Sequence, residues 1–256
     1  MRMNILVCFK YIYDEDELFV KPDRTIDLDG AAWVVSPYDL NTIEACMKLA
    51  AAMGDSNVYM ATVGGDVLDN SKMKKSALSR GPAAMYAVKA DKALELDNLA
   101  VSSLLKSAVE KIGDIDLVVC GEGSGDMYSQ QLGNMLGGML GWPTLNSVSA
   151  FRVEDGKLFA DRTDGPRTES YAINSKAVVS VTSDISRPRI PAMKEIMGAG
   201  KKPVTIWSAE ELEGVEGVTS VGSVLAPVKA ERKLIKFHEG EDEEFAAFVE
   251  ALKSNI

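Results

Sequence analysis

Histidine is nearly missing from this 256-residue chain, where His238 stands alone. Imidazole-built metal centres and histidine-activated nucleophiles therefore have no material, and Ser124 has no histidine near it in sequence. Cysteine is scarce as well. Cys8, Cys46 and Cys120 lie far apart without CxxC or Cys/His ligand spacing. Each reads as a small buried hydrophobe in a reducing compartment, and no metal site is expected. Cationic excess is absent: 28 Lys and Arg face 38 Asp and Glu, a formal net charge of −10. That balance excludes nucleic acid as the main partner, because gripping a phosphate backbone needs clustered cations. It leaves small anions open, since backbone N–H groups bind phosphate without net positive charge.

Long apolar runs are lacking too. No stretch suits a bilayer span, so the chain is not expected to be membrane-embedded. Ile5–Phe9 is too short for the apolar region of a signal peptide, and no small-residue cleavage site follows it; a cytoplasmic location is expected. No GxxxxGK[ST] occurs, which argues against a phosphate-cleaving P-loop. Gly121, Gly123 and Gly125 do not make GxGxxG and follow the fourth predicted strand, so a conventional dinucleotide dehydrogenase is not the first choice. Neither a nucleophile–base pair nor paired carboxylates can be picked out. No catalytic residue is assigned.

What is present is an ordinary globular balance, 46% hydrophobic and 26% charged, enough for a substantial core. Short apolar runs alternate with helical patterns through the first half, the mark of βαβ units and an open, mostly parallel sheet with helices on both faces. Strands are predicted at Ile5–Phe9, Val58–Val63, Met85–Val88 and Leu117–Cys120, the last apolar throughout as a strand covered on both faces should be. A hairpin-like excursion places Leu18–Val20 and Thr25–Leu28 either side of Pro22-Asp23. Ser36-Pro37-Tyr38-Asp39 reads as a helix start, with Ser36 as cap, Pro37 in the first turn and Gly54 as the stop. Further helices are predicted at about Asp69–Ser79, Asn98–Ile112 and Tyr128–Leu140. Four strand-like runs, Val148–Val153, Leu158–Arg162, Ser170–Ile173 and Val178–Thr182, suggest antiparallel additions. The α/β domain is expected to span 1–207. A Gly-, Glu- and Ser-rich arm, re-forming one helix near Glu243–Lys253, is expected over 208–256.

The strongest local signal is Cys120-Gly121-Glu122-Gly123-Ser124-Gly125-Asp126, between a buried strand and a helix. Its glycines permit close backbone approach, and the helix start offers unpaired N–H groups to an anion. Ser36, Gly64-Gly65 and this loop all fall at predicted carboxyl ends of strands, where open parallel sheets bind ligands. The plainer alternative is that each glycine only turns the chain. Gln130, Gln131 and Asn134 open the predicted helix, and their amides either bond a ribose or phosphate or are simply solvated. Gly133, Gly137 and Gly141 recur every four residues, clearing one helix side; tight packing on the sheet is the better account of Gly137. The segment from Ser186 to Met197 joins apolar residues, prolines and cations. It reads either as a recognition loop pre-ordered by proline or as a core helix with a Pro-rich lead-in.

Taken together, Ile5–Lys10, Ser36–Asn41 with Ile43-Glu44-Ala45, Ala77–Pro82, Asp116–Gly133 with Trp142-Pro143, and Arg187-Pro188-Arg189 running on to Lys201–Val204 resemble the electron-transfer flavoprotein beta subunit, Fix type. The likeness runs from residue 1 to about 205 and is weak after Ser208. It implies an adenine-nucleotide-binding, Rossmann-like domain whose arm contacts an alpha subunit in a heterodimer. In that family the alpha subunit carries the FAD that passes electrons between flavin dehydrogenases and a quinone oxidoreductase. The beta pocket holds AMP in the common type, or a second FAD fed by NADH in the electron-bifurcating type. By motif, the resemblance assigns nucleotide contacts to Cys8, Ser36, Pro37, Tyr38, Asp39, Val63, Leu117, Val119, Cys120, Gly121, Gly123, Ser124, Gly125, Asp126, Ser129, Gln130, Gln131 and Leu132. It assigns partner recognition to Arg189, Ile190, Pro191, Met193, Lys194 and Met197, with Met193 as apolar anchor. Three departures stand out: Ser36-Pro37 replaces Asn-Pro, Glu122-Gly123 replaces a basic residue and Gln, and Leu132 replaces Thr. Loss of the cation weakens the case for AMP, and the glycines at 123 and 125 are expected to leave room for a larger ligand, so FAD is the expected occupant. Two other classes stay open, an adenine-nucleotide hydrolase and a nucleotide-sensing regulatory module, although Lys10-Tyr11-Ile12-Tyr13 is not the phosphate-gripping motif the first would need.

Overall fold

The computed structural model describes residues 2–54, 56–91, 93, 96–212, 225–228, 236, 238 and 242–254. The chain divides into two compact units, Met1–Phe19 with Asp27–Ser223, and Val20–Ile26 with Val224–Ile256. In the large unit the chain runs β1 (Asn4–Cys8), β2 (Tyr11–Tyr13), then past the short strands β3 (Phe19–Val20) and β4 (Ile26–Asp27) to β5 (Trp33–Val35) and α1 (Pro37–Met53). There follow β6 (Asn57–Gly64), α2 (Ser71–Leu78), β7 (Ala84–Lys89), α3 (Asn98–Ile112), β8 (Leu117–Gly121) and α4 (Leu132–Leu140). It continues through β9 (Thr144–Glu154), β10 (Lys157–Asp164), β11 (Arg167–Ile173), β12 (Ala177–Val181), α5 (Met193–Ala199) and β13 (Val204–Ser208).

The main sheet has the order β11-β10-β9-β12-β8-β1-β6-β7-β13. Every pairing from β9 across to β13 is parallel, and only β10 and β11 are antiparallel additions. The expected open parallel sheet is therefore found. Along β1, Ile5 and Val7 join the core under α1 and α2, while Leu6 and Cys8 join the core under α3 and α4. Period-two alternation on a strand buried from both sides makes both layers apolar. From β1 the chain moves outward to β6 and β7, then α3 carries it back to β8 on the other side of β1. The order reverses between β1 and β8, and there the carboxyl ends of the two strands leave a crevice.

Several local expectations are met. Pro37 starts α1, and Gly54 ends it with φ of +64°. The helix expected over about Asp69–Ser79 is α2, capped by Asn70, which the sequence reading did not single out and which accepts from the backbone N–H groups of Lys72 and Met73. Gly141 closes α4 in the left-handed region. Gly137 is where α4 meets β9: a Cβ there would lie 2.2 Å from Thr144 Oγ1.

Two expectations are corrected. The helix expected from Tyr128 begins at Leu132, because Tyr128 and Gln130 have φ of 43° and 57°, outside the helical region. Gln130 and Gln131 thus belong to the loop before α4, not to its first turn. The run Val178–Thr182, grouped with the antiparallel additions, is instead the parallel strand β12 between β8 and β9. Val178 and Val179 are fully buried there, and an unbroken apolar run is what a doubly covered strand requires.

In the small unit, Lys21 N–H donates to the Thr25 carbonyl, and the Asp23 carboxylate accepts from the Thr25 N–H and hydroxyl. Arg24 Nε donates to the Ala226 carbonyl at 2.7 Å. Helix α6 (Asp242–Lys253) places Phe245, Phe248 and Leu252 at i, i+3 and i+7, all exposed.

Candidate functional site

The crevice is built from the start of α1 outward. Ser36, expected to cap that helix with its side chain, makes no capping bond. Fully buried, its Oγ instead accepts from the Gly125 N–H at 3.3 Å. Asp39, one turn on, is buried and accepts from the Lys10 N–H at 2.7 Å through Oδ2. One helix start therefore fastens both strand ends, Cys8–Lys10 after β1 and Gly121–Asp126 after β8. Burial pushes the Asp39 carboxyl up to about 8 against the lowering effect of the Lys10 hydrogen bond.

The glycine loop is locked by its own contacts. Ser124 Oγ donates to Asp126 Oδ1 at 2.6 Å, the Met127 N–H donates to the same oxygen at 2.9 Å, and Lys10 Nζ lies 2.5 Å from Oδ2. Burial opposes ionisation of Asp126, but the bonds from Lys10 and Ser124 hold its carboxyl below the usual range. Glu122 turns toward β12: its N–H donates to the Val181 carbonyl and its carboxylate accepts from the Ser183 N–H at 3.0 Å.

Close approach explains the glycines. A Cβ at Gly121 would sit 3.0 Å from Asp39 Oδ1, one at Gly123 would sit 2.5 Å from the Tyr128 ring, and one at Gly125 would sit 2.8 Å from Ile12 Cδ1. The space expected beside residues 123 and 125 is thus filled by Tyr128 and Ile12.

Around this frame lies a cavity of about 570 Å³, within the roughly 300–1,000 Å³ usual for small-molecule sites. Eleven of the residues assigned by motif line it: Cys8, Asp39, Val63, Gly121, Gly123, Ser124, Asp126, Ser129, Gln130, Gln131 and Leu132. Ser36, Pro37, Tyr38 and Gly125 stand behind the loop; the Tyr38 and Tyr128 rings pack 5.2 Å apart, and Pro37 lies against Gly125. Leu117 and Val119 point into the core with α1, away from the cavity. Cys120 is buried under α3 and α4. Hydrogen bonding with Cys8 and burial hold its thiol protonated, well above the ordinary value.

A whole wall escaped the sequence reading. Leu96, Asp97, Asn98, Leu99, Val101 and Leu105, from α3 and the chain before it, line the cavity with Met135, Phe9 and Lys10. Asn98 Nδ2 donates to Gln131 Oε1 at 2.9 Å, bridging this wall to the loop before α4. The one local hint was Asp97, whose side chain caps α3 by accepting from the Ala100 N–H. Chemically, the cavity joins a polar side at the glycine loop to an apolar side of Val63, Leu96, Leu99, Val101, Leu105 and Leu132. That pairing suits a ligand with a flat ring system and an anionic or hydroxylated tail.

The residues assigned to partner recognition lie elsewhere. Ile190, Met193 and Met197 are 92%, 71% and 74% exposed, and Lys194 is exposed beside them. Pro191 is half-buried. Arg189 faces inward, with Nη1 on Glu195 at 2.7 Å, Nη2 on the Arg80 carbonyl at 3.2 Å and Nε 3.6 Å from Glu44. Arg80 returns a bond to the Arg189 carbonyl, and Lys202 Nζ donates to the carbonyls of Leu78, Gly81 and Pro82. This lattice seats an exposed apolar turn on a rigid base.

Among the described residues no helix is long and apolar enough to cross a membrane, and no group of three or more His, Cys, Asp or Glu could hold a metal ion. The family model described as "Electron transfer flavoprotein domain" matches residues 23–212, well over half of the chain. With a doubly wound sheet and a cavity at its switch point already in place, this chain belongs to the electron transfer flavoprotein family.

Proposed function

We propose that the chain is the beta-type subunit, Fix type, of a heterodimeric electron-transfer flavoprotein, with FAD in the cavity between β1 and β8. The observation that carries this reading is the cavity's make-up, a hydrogen-bonding glycine loop facing an apolar wall from α3 at the switch point of the sheet. Ser124, Ser129, Gln130 and Gln131 would bond the phosphate and sugar, and Val63, Leu99, Val101 and Leu132 would cover a ring. Bound flavin would supply the redox chemistry, accepting and releasing electrons. The protein's part is to hold it, exclude water and orient it. No side chain of this chain is assigned an acid–base step.

The partners follow from the same reading. An alpha subunit carrying its own FAD completes the heterodimer, residues 208–256 serve as the arm that contacts it, and the Arg189–Met197 turn meets flavin dehydrogenases. Electrons pass from these, or from NADH, to a quinone oxidoreductase or a low-potential acceptor, in the cytoplasm. A second reading, AMP as a structural ligand in a one-flavin carrier, gains support from the Tyr128 ring and Ile12, which fill the space beside Gly123 and Gly125.

The deciding experiment is to denature the purified heterodimer and quantify released nucleotides. Two FAD and no AMP would establish the proposed form. One FAD with one AMP would establish the one-flavin form, and neither nucleotide in this subunit would sink both.

A further inference from the structure

The glycine loop Gly121–Asp126 carries Glu122 and no cation, yet the cavity is not without one. Lys10, from the end of β1, lines the cavity and places Nζ 2.5 Å from Asp126 Oδ2. Among the described residues lining the cavity it is the only cation, set among the acidic residues Asp39, Asp97, Glu122 and Asp126. Its position is built. The Lys10 N–H is held by buried Asp39, and its ammonium by Asp126, whose other oxygen is taken by Ser124 and the Met127 N–H. An ammonium has three N–H donors, so the bond to Asp126 leaves two for a ligand.

We propose that Lys10, just beyond β1, is the phosphate-binding cation of the cavity. This rests on the nucleotide reading above. Asp126 is then a positioning residue that aims the ammonium at the loop, where a phosphorylated ligand would otherwise meet mostly carboxylates. Charge-assisted bonds of this kind are roughly twice as strong as neutral ones, so the cation decides how much of the affinity depends on phosphate. A half-exposed pair such as Lys10–Asp126 adds little to folding stability, which makes substitution informative.

The test is calorimetric titration of the full chain, stripped of nucleotide, with AMP, FAD and adenosine, using the wild type, Lys10→Met and Lys10→Arg. Lys10→Met is expected to weaken AMP and FAD by roughly tenfold or more while adenosine changes less than about twofold, and Lys10→Arg to restore most of the loss. The dependence of AMP affinity on salt should flatten in Lys10→Met, since an exposed charge interaction is screened. Unchanged AMP and FAD affinity in Lys10→Met, or loss of adenosine as steep as loss of AMP, would overturn the proposal and leave the nucleotide reading standing. A wild type that takes up none of the three would overturn the nucleotide reading, and this proposal with it.

Discussion

Asp39 should make the protein less stable as pH rises through neutrality, and Asp39→Asn should remove that trend. Asp39 is 5% exposed and its carboxylate accepts from the Lys10 N–H at 2.7 Å, while burial pushes it up to about 8. In the unfolded chain an aspartate titrates near about 3.9. Between those two values the folded protein keeps the proton that the unfolded chain has released. The unfolded state binds fewer protons, so stability falls with rising pH, by up to about 1.4 kcal/mol per pH unit from this group. Over pH 5.5 to 7.5 the contribution reaches at most about 3 kcal/mol, a large share of a domain's net stability. Asp126 and Glu195 are held below the usual carboxylate range, so their contributions are lost at the acid end and do not mimic this slope. Asparagine carries no titrating proton and its carbonyl can still accept from Lys10. Urea unfolding of nucleotide-free protein at pH 5.5, 6.5 and 7.5 should therefore show Asp39→Asn gaining on the wild type at each step. Parallel stability lines for the two proteins would refute the reasoning, because they would mean that Asp39 ionises in the folded state as it does in the unfolded one.

Other consequences can be checked singly. Gly137→Ala would put a methyl 2.2 Å from Thr144 Oγ1, and overpacking of this kind costs about 1–3 kcal/mol; thermal unfolding should show the loss, and adding Thr144→Ala should recover much of it. Asn98→Ala removes the amide bridge to Gln131 and should speed nucleotide release in a stopped-flow exchange experiment without altering the far-ultraviolet circular dichroism. Arg189→Ala removes the bonds to Glu195 and the Arg80 carbonyl, so limited proteolysis between residues 187 and 199 should quicken; an unchanged cleavage rate would mean that the turn is held by other contacts, such as the Ala192 N–H on Glu195. Met193→Ala, at a side chain 71% exposed, should slow electron transfer with a dehydrogenase partner and leave nucleotide content unchanged; loss of nucleotide instead would mark the turn as structural.

The parts of the fold that were legible in the sequence are those whose signal is local. The apolar runs Ile5–Cys8 and Leu117–Cys120, and Pro37 with Gly54 bounding α1, each depend on a few neighbouring residues. The place of Val178–Val181 in the sheet was not legible, because an apolar run reports that both faces are covered and not which strands lie beside it. The start of α4 was missed for a related reason. Tyr128 and Gln130 have no sequence mark of the positive φ that the loop imposes on them, and Gly123 yields room for the Tyr128 ring rather than for a ligand.

The same distinction governs the candidate site. Its glycine side could be found from Gly121 to Asp126 because backbone approach demands a particular residue type. Its α3 side could not, because Leu99, Val101 and Leu105 are the residues any buried helix would present, and only the return of the chain across β1 brings them to the crevice. Lys10 shows where the two kinds of information meet. Read in sequence, the loop carries Glu122 and no cation, which counts against tight binding of a lone phosphate. Read in the fold, β1 and β8 are neighbours in parallel register, so the residue two beyond Cys8 comes beside the residue six beyond Cys120. Charge at a site of this kind is a property of the strand pair, and a substitution on one loop can be offset from the other.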